Sequence, residues 1–341
     1  MIKFAVGYQS MDDGAFMRLI NDFRDSVAEV FFPWTTTPSG RASLADSRGR
    51  IDWSAQEKLE ADLVSLRQSG VKLDLVLNAN CYGDYALSKR LANETLSIIE
   101  RIDAVAGGVD ILTTASPVIA EFIKKTAPAI ETRASVNMRI GTVKGMEYVA
   151  EFFDSFHVQR EQNRDLNRIA DLKRWEDANG KRLIILLNSG CMRDCSVQTF
   201  HDNCVAHERG IDEIDRIPGA TPSRCRVFLK DRTRWVSILQ NTWIRPEDVR
   251  YIEPFFSIGK LATRMHGSPR LVLEAYASRR YHGNLVDLCE PGYSSILAPY
   301  IIDNDRFPDD WFQRTTDCDK RCGDCDYCRR VLDDVLVRIE E

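Results

Sequence analysis

Two groups of cysteines carry the residue types and spacings most able to do chemistry in this sequence. The central cysteines follow the spacing C-x3-C-x8-C-x20-C and are Cys191, Cys195, Cys204 and Cys225. The tail cysteines follow C-x3-C-x2-C-x2-C in the polar stretch DCDKRCGDCDYC and are Cys318, Cys322, Cys325 and Cys328. Because thiolates are the ligands of iron–sulfur clusters and of structural zinc, both groups are candidate metal sites.

The compact spacing of the tail cysteines favours an iron–sulfur cluster. Structural zinc sites commonly use two cysteine pairs separated by a longer loop, whereas ferredoxin-type runs place their cysteines close together. A disulfide framework is not expected, because no secretory signal is legible and cytosolic thiols stay reduced. The radical-enzyme triad C-x3-C-x2-C also occurs here, but that triad belongs after a first barrel strand. Zinc stays open at both groups, and Cys289 is a substitute ligand for the tail.

Length, composition and charge predict a globular protein that does not bind nucleic acid through its overall charge. The chain has 341 residues, of which 44% are hydrophobic and 28% charged, with a net charge of −5. A local basic run is interpreted as a strand with a solvated charged face or as a site for an anion; it contains Arg224, Arg226, Lys230, Arg232 and Arg234. No apolar run reaches membrane-spanning length, and a cytoplasmic location is expected.

Eight short β-branched or aromatic runs alternate with helical stretches and must position these cysteines. They begin at Ile2, Ala28, Lys72, Val109, Glu131, Ser155, Arg182 and Phe256. This alternation predicts an α/β fold, and eight strands favour a closed (β/α)8 TIM-like barrel over an open doubly wound sheet. The barrel domain is expected over 1–285 and includes a cysteine-bearing insertion at 188–255, after strand seven. A cysteine-rich C-terminal extension, 286–341, ends in a predicted amphipathic helix.

Several segments together resemble the family known as peptidase U32. The stretches ETRASVNMRI, HVQREQNRDLNRI and NSGCMRDC resemble its fifth strand, its Arg-Glu segment before a helix, and its cysteine-bearing loop after strand seven. The most specific match is the family's Lys-x-x-x-Arg, then Ser-Pro, then a helix with Tyr, which here are Lys260, Arg264, Ser268, Pro269 and Tyr276. The resemblance covers roughly residues 1 to 285, in order.

The resemblance implies a barrel that holds a [4Fe–4S] cluster on four cysteines. Relatives take part in oxygen-independent hydroxylation of ubiquinone precursors or RNA bases, with prephenate as the expected oxygen donor in several cases. The ubiquinone members work as heterodimers of two such proteins. This chain departs from the family at Thr263, where Gly is frequent, and in its tail cysteines, which predict a second cluster.

We therefore expect an iron–sulfur oxidoreductase or hydroxylase that acts on a small molecule, a lipid precursor or, less favoured by the acidic charge, an RNA base. The candidate catalytic residues are Arg160, Glu161, Lys260 and Arg264, which lie at predicted strand ends where they could bind an anionic substrate or donor. Their alternative role is to pair with one another inside the barrel mouth. A non-catalytic electron-transfer or scaffold subunit of a second U32 protein stays open. A protease also stays open, although no Ser-His-Asp, Cys-His or HExxH pattern is legible.

Overall fold

The strands form a closed barrel in the computed structural model, which describes residues 1–40, 52–208, 215 and 217–339. All eight strands are parallel, each pairs with its neighbours in chain order, and β1 pairs with β8 to close the barrel. The barrel strands are β1 Lys3–Gly7, β2 Val27–Phe32, β3 Lys72–Leu77, β4 Ile111–Thr114, β5 Glu131–Ala134, β6 Ser155–His157, β7 Arg182–Leu186 and β8 Ile258–Leu261. The prediction of a (β/α)8 barrel is confirmed.

Helices connect the strands and cover the barrel. Those of the barrel are α1 Ala15–Asp22, α2 Trp53–Gln68, α3 Lys89–Ala106, α4 Pro117–Thr126, α5 Val143–Glu147 and α6 Leu166–Asn179, and β8 is followed by α11 Pro269–Ser278. Within the described ranges, no helix is long and apolar enough to cross a membrane.

Local chemistry fixes where these helices begin and end. The Ser88 hydroxyl accepts the Leu91 N–H at 3.2 Å and so caps the start of α3. Gly107 ends the same helix in the left-handed conformation, at a φ of 72°, which glycine adopts without the steric cost of a Cβ. The helix α4 begins with Pro117, whose missing N–H is not needed at that position.

The insertion between β7 and β8 is helical where it is described. Its helices are α7 Gln198–Ala206, α8 Arg224–Phe228, α9 Val236–Leu239 and α10 Val249–Ile252. The interpretation of the basic run as a strand is therefore wrong. Asp231 accepts the Thr233 N–H at 3.0 Å and starts a short 3-10 turn, which breaks any extended run.

The C-terminal extension packs on the insertion through aromatic rings. Trp243 of the insertion stacks on Trp311 with centroids 5.9 Å apart, and Tyr251 stacks on Phe312 at 4.6 Å. The elements of the extension are α12 Ser294–Leu297, β9 Tyr300–Ile302, α13 Trp311–Thr316, α14 Tyr327–Val335 and β10 Leu336–Arg338. The predicted final helix thus ends at Val335, because the following residues pair with β9 as an antiparallel strand.

Candidate functional site

The barrel interior contains a buried ionic network centred on Arg133 of β5. Its guanidinium donates to both carboxylate oxygens of Glu29, to Glu131 at 3.0 Å and to the Ser155 hydroxyl at 3.0 Å. Burial opposes the charge of Arg133, but Glu29 and Asp74 more than offset this effect and raise its pKa. Arg133 is therefore a permanent cation at the centre of the barrel.

Asp74 of β3 is the least satisfied carboxyl group of this network. Its Oδ2 accepts the Thr113 hydroxyl at 2.9 Å and lies 3.8 Å from Arg133, while its buried Oδ1 has no hydrogen-bond partner among the described residues. Burial raises the pKa of Asp74 to about 7, although Arg133 acts in the opposite direction. Asp74 consequently changes charge near neutral pH.

Lys260 of β8 is buried above this network. Its Nζ lies 3.9 Å from the centroid of the Phe31 ring. Across the described part of the chain, it makes no hydrogen bond or ion pair. Burial lowers the pKa of Lys260 to about 8, although Asp74 raises it. A fraction of the amine is therefore neutral, and nucleophilic, at physiological pH.

His157 of β6 is a functional candidate that the sequence did not single out. Its side chain is 1% exposed, and its Nδ1–H donates to the Ala134 carbonyl oxygen at 3.0 Å. The buried Nε2 has no partner among the described residues. Burial, and then Lys260 and Arg133, hold the pKa of His157 well below its usual range. The ring is therefore neutral and leaves a lone pair on Nε2.

The rim of the barrel holds the other residues predicted for the site. Arg160 and Glu161 lie in the 3-10 turn that directly follows β6, and Arg264 lies three residues after β8. Arg160 is only 5% exposed, and its guanidinium makes no hydrogen bond or ion pair with a described residue. Arg264 donates to the Ser39 hydroxyl at 3.1 Å.

The alternative role, in which these charged residues pair with one another inside the barrel mouth, is not seen. Within the described ranges, no ion pair joins any two of Arg160, Glu161, Lys260 and Arg264, so they do not neutralise one another. Arg160 and Lys260 make no ion pair with any described residue, so these two cations can bind an anion.

The four tail cysteines line one cavity of about 400 Å³. The Lys320 N–H donates to the sulfur of Cys318 at 3.3 Å, a contact that favours a thiolate. Burial raises the pKa of the Cys328 thiol to about 11, with the charges of Cys322 and Cys318 adding to the effect and Arg164 opposing it. The four sulfurs are thus electrostatic neighbours.

Three cations lie near the tail cysteines without lining their cavity, whose own charged lining residues are Asp310, Arg314, Asp317 and Asp319. Arg164 is 3% exposed, with its Cζ 5.1 Å from the Trp243 ring centroid and 5.5 Å from that of Trp311. It donates through Nη2 to the Leu239 carbonyl at 3.1 Å, while its buried Nε and Nη1 have no partner among the described residues. The other cations are Arg193, close to Arg164, and Lys320, whose Nζ donates to the Arg164 carbonyl at 3.2 Å.

The structure brings together part of the central set. Cys195 and Cys225 line a cavity of about 420 Å³, and the tail residue Cys322 lines it with them. Cys191 and Cys225 both lie beside the buried Tyr293 hydroxyl. Cys204 lies on α7 and is not among the residues that line either cavity. The two cysteine groups, distant in sequence, are therefore neighbours in the fold.

The donor chemistry fits metal–thiolate sites, but the thiols are not arranged as a finished ligand shell. Over the residues that the structure describes, no three Cys, His, Asp or Glu side chains converge as metal ligands do. Cys289 is buried, its thiol pKa raised to about 12 by burial, and its sulfur lies 3.8 Å from the Leu285 carbonyl oxygen. In this state the Cys289 thiol packs as a small neutral group.

Comparison with known proteins supports the resemblance read in the sequence. No family model matches the chain. It is 23% identical over 283 residues to the uncharacterized protease MJ1657 of Methanocaldococcus jannaschii, covering 82% of each chain. Its fold is similar to the structure of the U32 peptidase Mk0906, with a TM-score of 0.52, 13% identity, and coverage of 76% of this chain and 92% of that one. The recognition of a U32-like protein is confirmed.

Proposed function

We propose that this chain, which is similar to U32 peptidases in sequence and in fold, is an iron–sulfur protein of an oxygen-independent hydroxylation or a related redox reaction. The tail cysteines would hold one [4Fe–4S] cluster, and the central cysteines would hold a second cluster. A small anionic substrate or donor would bind at the barrel mouth. When bound, the clusters would supply one-electron chemistry.

The observation that carries this proposal is the set of positively charged side chains near the tail cysteines. A cluster held by four thiolates is an anion, and so is a zinc ion held by four thiolates. Three cations lie near the tail cysteines, and one of them, Arg164, has a buried Nε and Nη1 with no partner among the described residues. A buried guanidinium with spare donors is costly unless a negative group accepts from it.

The barrel mouth supports the binding of an anion in the same way. Arg160 is buried without a partner in the described ranges, Lys260 is buried above the ionic network, and Arg264 lies at the same end of the barrel. Guanidinium groups bind carboxylates through paired, charge-assisted hydrogen bonds. We assign Arg160 and Arg264 to substrate carboxylates. The Glu161 side chain makes no hydrogen bond or ion pair with a described residue, and its carbonyl oxygen accepts from Arg193 at 3.1 Å.

Prephenate, a dicarboxylate, is the probe for this site. We expect calorimetry to show binding to the anaerobically prepared protein, and Arg160→Gln to weaken it at least tenfold, because a charge-assisted hydrogen bond contributes about 1.5–3 kcal/mol. Arg168→Gln is the matched control, since Arg168 is exposed on α6. Equal affinity in both variants would rule out Arg160 as the anion site. If Arg160→Gln still binds prephenate tightly and contains its full iron, only the assignment of the anion site is wrong and the cluster proposal stands.

Arg164 offers a test of the tail site that does not depend on knowing the substrate. A buried cation stabilises the reduced, more negative form of a neighbouring cluster. We expect Arg164→Gln to shift the midpoint potential of the tail cluster to a more negative value, while Arg168→Gln leaves it unchanged. Potentiometric titration followed by electron paramagnetic resonance measures both. An unchanged potential in Arg164→Gln would place the cluster elsewhere.

A protease is the second candidate, because both similar proteins are named as a protease or peptidase. The histidine geometry does not favour it. His157 and His266 hydrogen-bond to the carbonyl oxygens of Ala134 and Asp287 at 3.0 and 2.8 Å, and not to a serine or cysteine nucleophile. Cleavage of a peptide library by metal-free protein is the result that would restore this candidate.

A further inference from the structure

The side chains of Lys260 and His157 point into the same interior space of the barrel. Successive residues of a strand point to opposite faces, so residues two apart share a face. His157 is two residues from Ser155, whose hydroxyl contacts Arg133 inside the barrel. Lys260 lies over Phe31, which is two residues from Glu29, another contact of Arg133. An amine and a neutral imidazole therefore line one interior.

Lys260 is not the structural counter-ion of this network. Arg133 pairs with Glu29 and, together with Arg182, with Glu131, and it also lies within ion-pair distance of Asp74. Asp74 keeps a buried Oδ1 without a partner in the described ranges, and Lys260 forms no ion pair with it. A lysine kept for stability would complete that pair, because an unpaired buried charge is unfavourable. The amine is instead held free, as a nucleophile must be.

We propose that Lys260 condenses with the carbonyl group of a small 2-oxo acid to form an imine. The nitrogen lone pair attacks the carbonyl carbon, and the carbonyl oxygen leaves as water with the two protons of the amine. Nothing is oxidised or reduced in this step. The inference rests on the proposed binding of an anion at the barrel mouth, and it adds a covalent bond between Lys260 and that anion, which must carry a carbonyl group beside its carboxylate.

The charges that face Lys260 suit this chemistry. Glu29 of β2 and Asp74 of β3 favour its protonated form, while Arg133 of β5 and Arg264 after β8 favour the neutral, nucleophilic amine. Asp74, whose pKa is about 7, can accept and return a proton, while the neutral His157 ring offers its Nε2 lone pair as a hydrogen-bond acceptor. Arg160 or Arg264 would hold the carboxylate of the acid.

Pyruvate with cyanoborohydride is the test, because the reductant converts an imine into a stable secondary amine. We expect intact mass spectrometry to show one reduced pyruvyl group per chain, and peptide mapping to place it on Lys260. Lys260→Arg should remove the label. Lys181 is the matched internal control: its pKa is also lowered by burial, but its Nζ donates to the Ala150 and Phe153 carbonyls at 2.7 and 2.8 Å. Labelling should increase with pH through about 8, since the neutral amine is the reactive form.

The outcomes separate this inference from the proposed function. Labelling spread over surface lysines, labelling of Lys181 at the rate of Lys260, or full labelling of a folded Lys260→Arg variant would overturn the imine. Circular dichroism establishes that the variant is folded, and Lys260→Met gives a second test if the arginine variant is not. Iron and sulfide are measured on the same preparation. Iron without labelling overturns only the imine, and labelling without iron overturns only the cluster proposal.

Discussion

Replacing Arg133 by methionine is expected to lower the free energy of unfolding by about 3–5 kcal/mol, because it leaves buried carboxylates without their cation. Glu29 would lose its ion pair inside the barrel, Glu131 would keep only its pair with Arg182, and Asp74 would lose its ion-pair partner. Denaturant unfolding, followed by circular dichroism, measures the change.

The matched control is Arg182→Met, which removes a different partner of the same network. Arg182 pairs with Glu131, but its side chain is 51% exposed, so solvent screens the pair. We expect that variant to lose no more than about 1 kcal/mol. Similar losses in the two variants would show that the interior carboxyl groups do not depend on Arg133.

The pH dependence of the Arg133 variant has a defined sign. The folded-state pKa of Asp74, about 7, lies above its ordinary value, so the native protein holds more protons than the unfolded chain between those two pKa values. The contribution of Asp74 to stability therefore falls as pH rises through this range. Without Arg133 the charged carboxylate is less favourable still, so the cost of Arg133→Met should be larger at pH 8 than at pH 6.

Serine substitution of a tail cysteine is expected to remove about half of the bound iron and sulfide, because one of two clusters loses a ligand. Cys318, Cys325 and Cys328 line the tail cavity only, and each variant should retain the second cluster. Cys81→Ser is the control: that thiol is partly exposed and lies in neither group of cysteines. Its iron content should equal that of the unmodified protein.

The central cysteines give the complementary result. Serine at Cys191, Cys195 or Cys225 should remove the other half of the iron and leave the tail cluster detectable by electron paramagnetic resonance. Cys204→Ser tests the prediction that this residue is the remaining ligand, although it lies apart from the shared cavity. A protein that keeps all its iron after every tail substitution would have no tail cluster.

The barrel is predictable because each of its strands and helices has a recognisable pattern within a short stretch of sequence. Alternation of β-branched strands and amphipathic helices recurs eight times, and every predicted strand is present. The basic run resembles a strand in length and charge, whereas its first residues form α8 and Asp231 then starts a 3-10 turn. The hydrogen bond that starts this turn is a contact that hydrophobic periodicity along the sequence does not show.

The site was only partly predictable, since its contacts join residues far apart in the chain. Lys260 was found through a motif, but the network beneath it depends on closure of the barrel, which brings Glu29 to Arg133. Arg164 carried no signal beyond its place in a polar segment. The proximity of Cys322 to Cys195 depends on how the extension packs on the insertion, which spacing along the sequence does not encode.

Metal analysis of protein purified and kept without oxygen tests the central claim most directly. Iron, acid-labile sulfide and zinc are measured on one sample. We expect about eight iron and eight sulfide per chain, the content of two [4Fe–4S] clusters, with negligible zinc. Stoichiometric zinc with almost no iron or sulfide would contradict it, and the cysteines would then hold the fold together and take no part in redox chemistry.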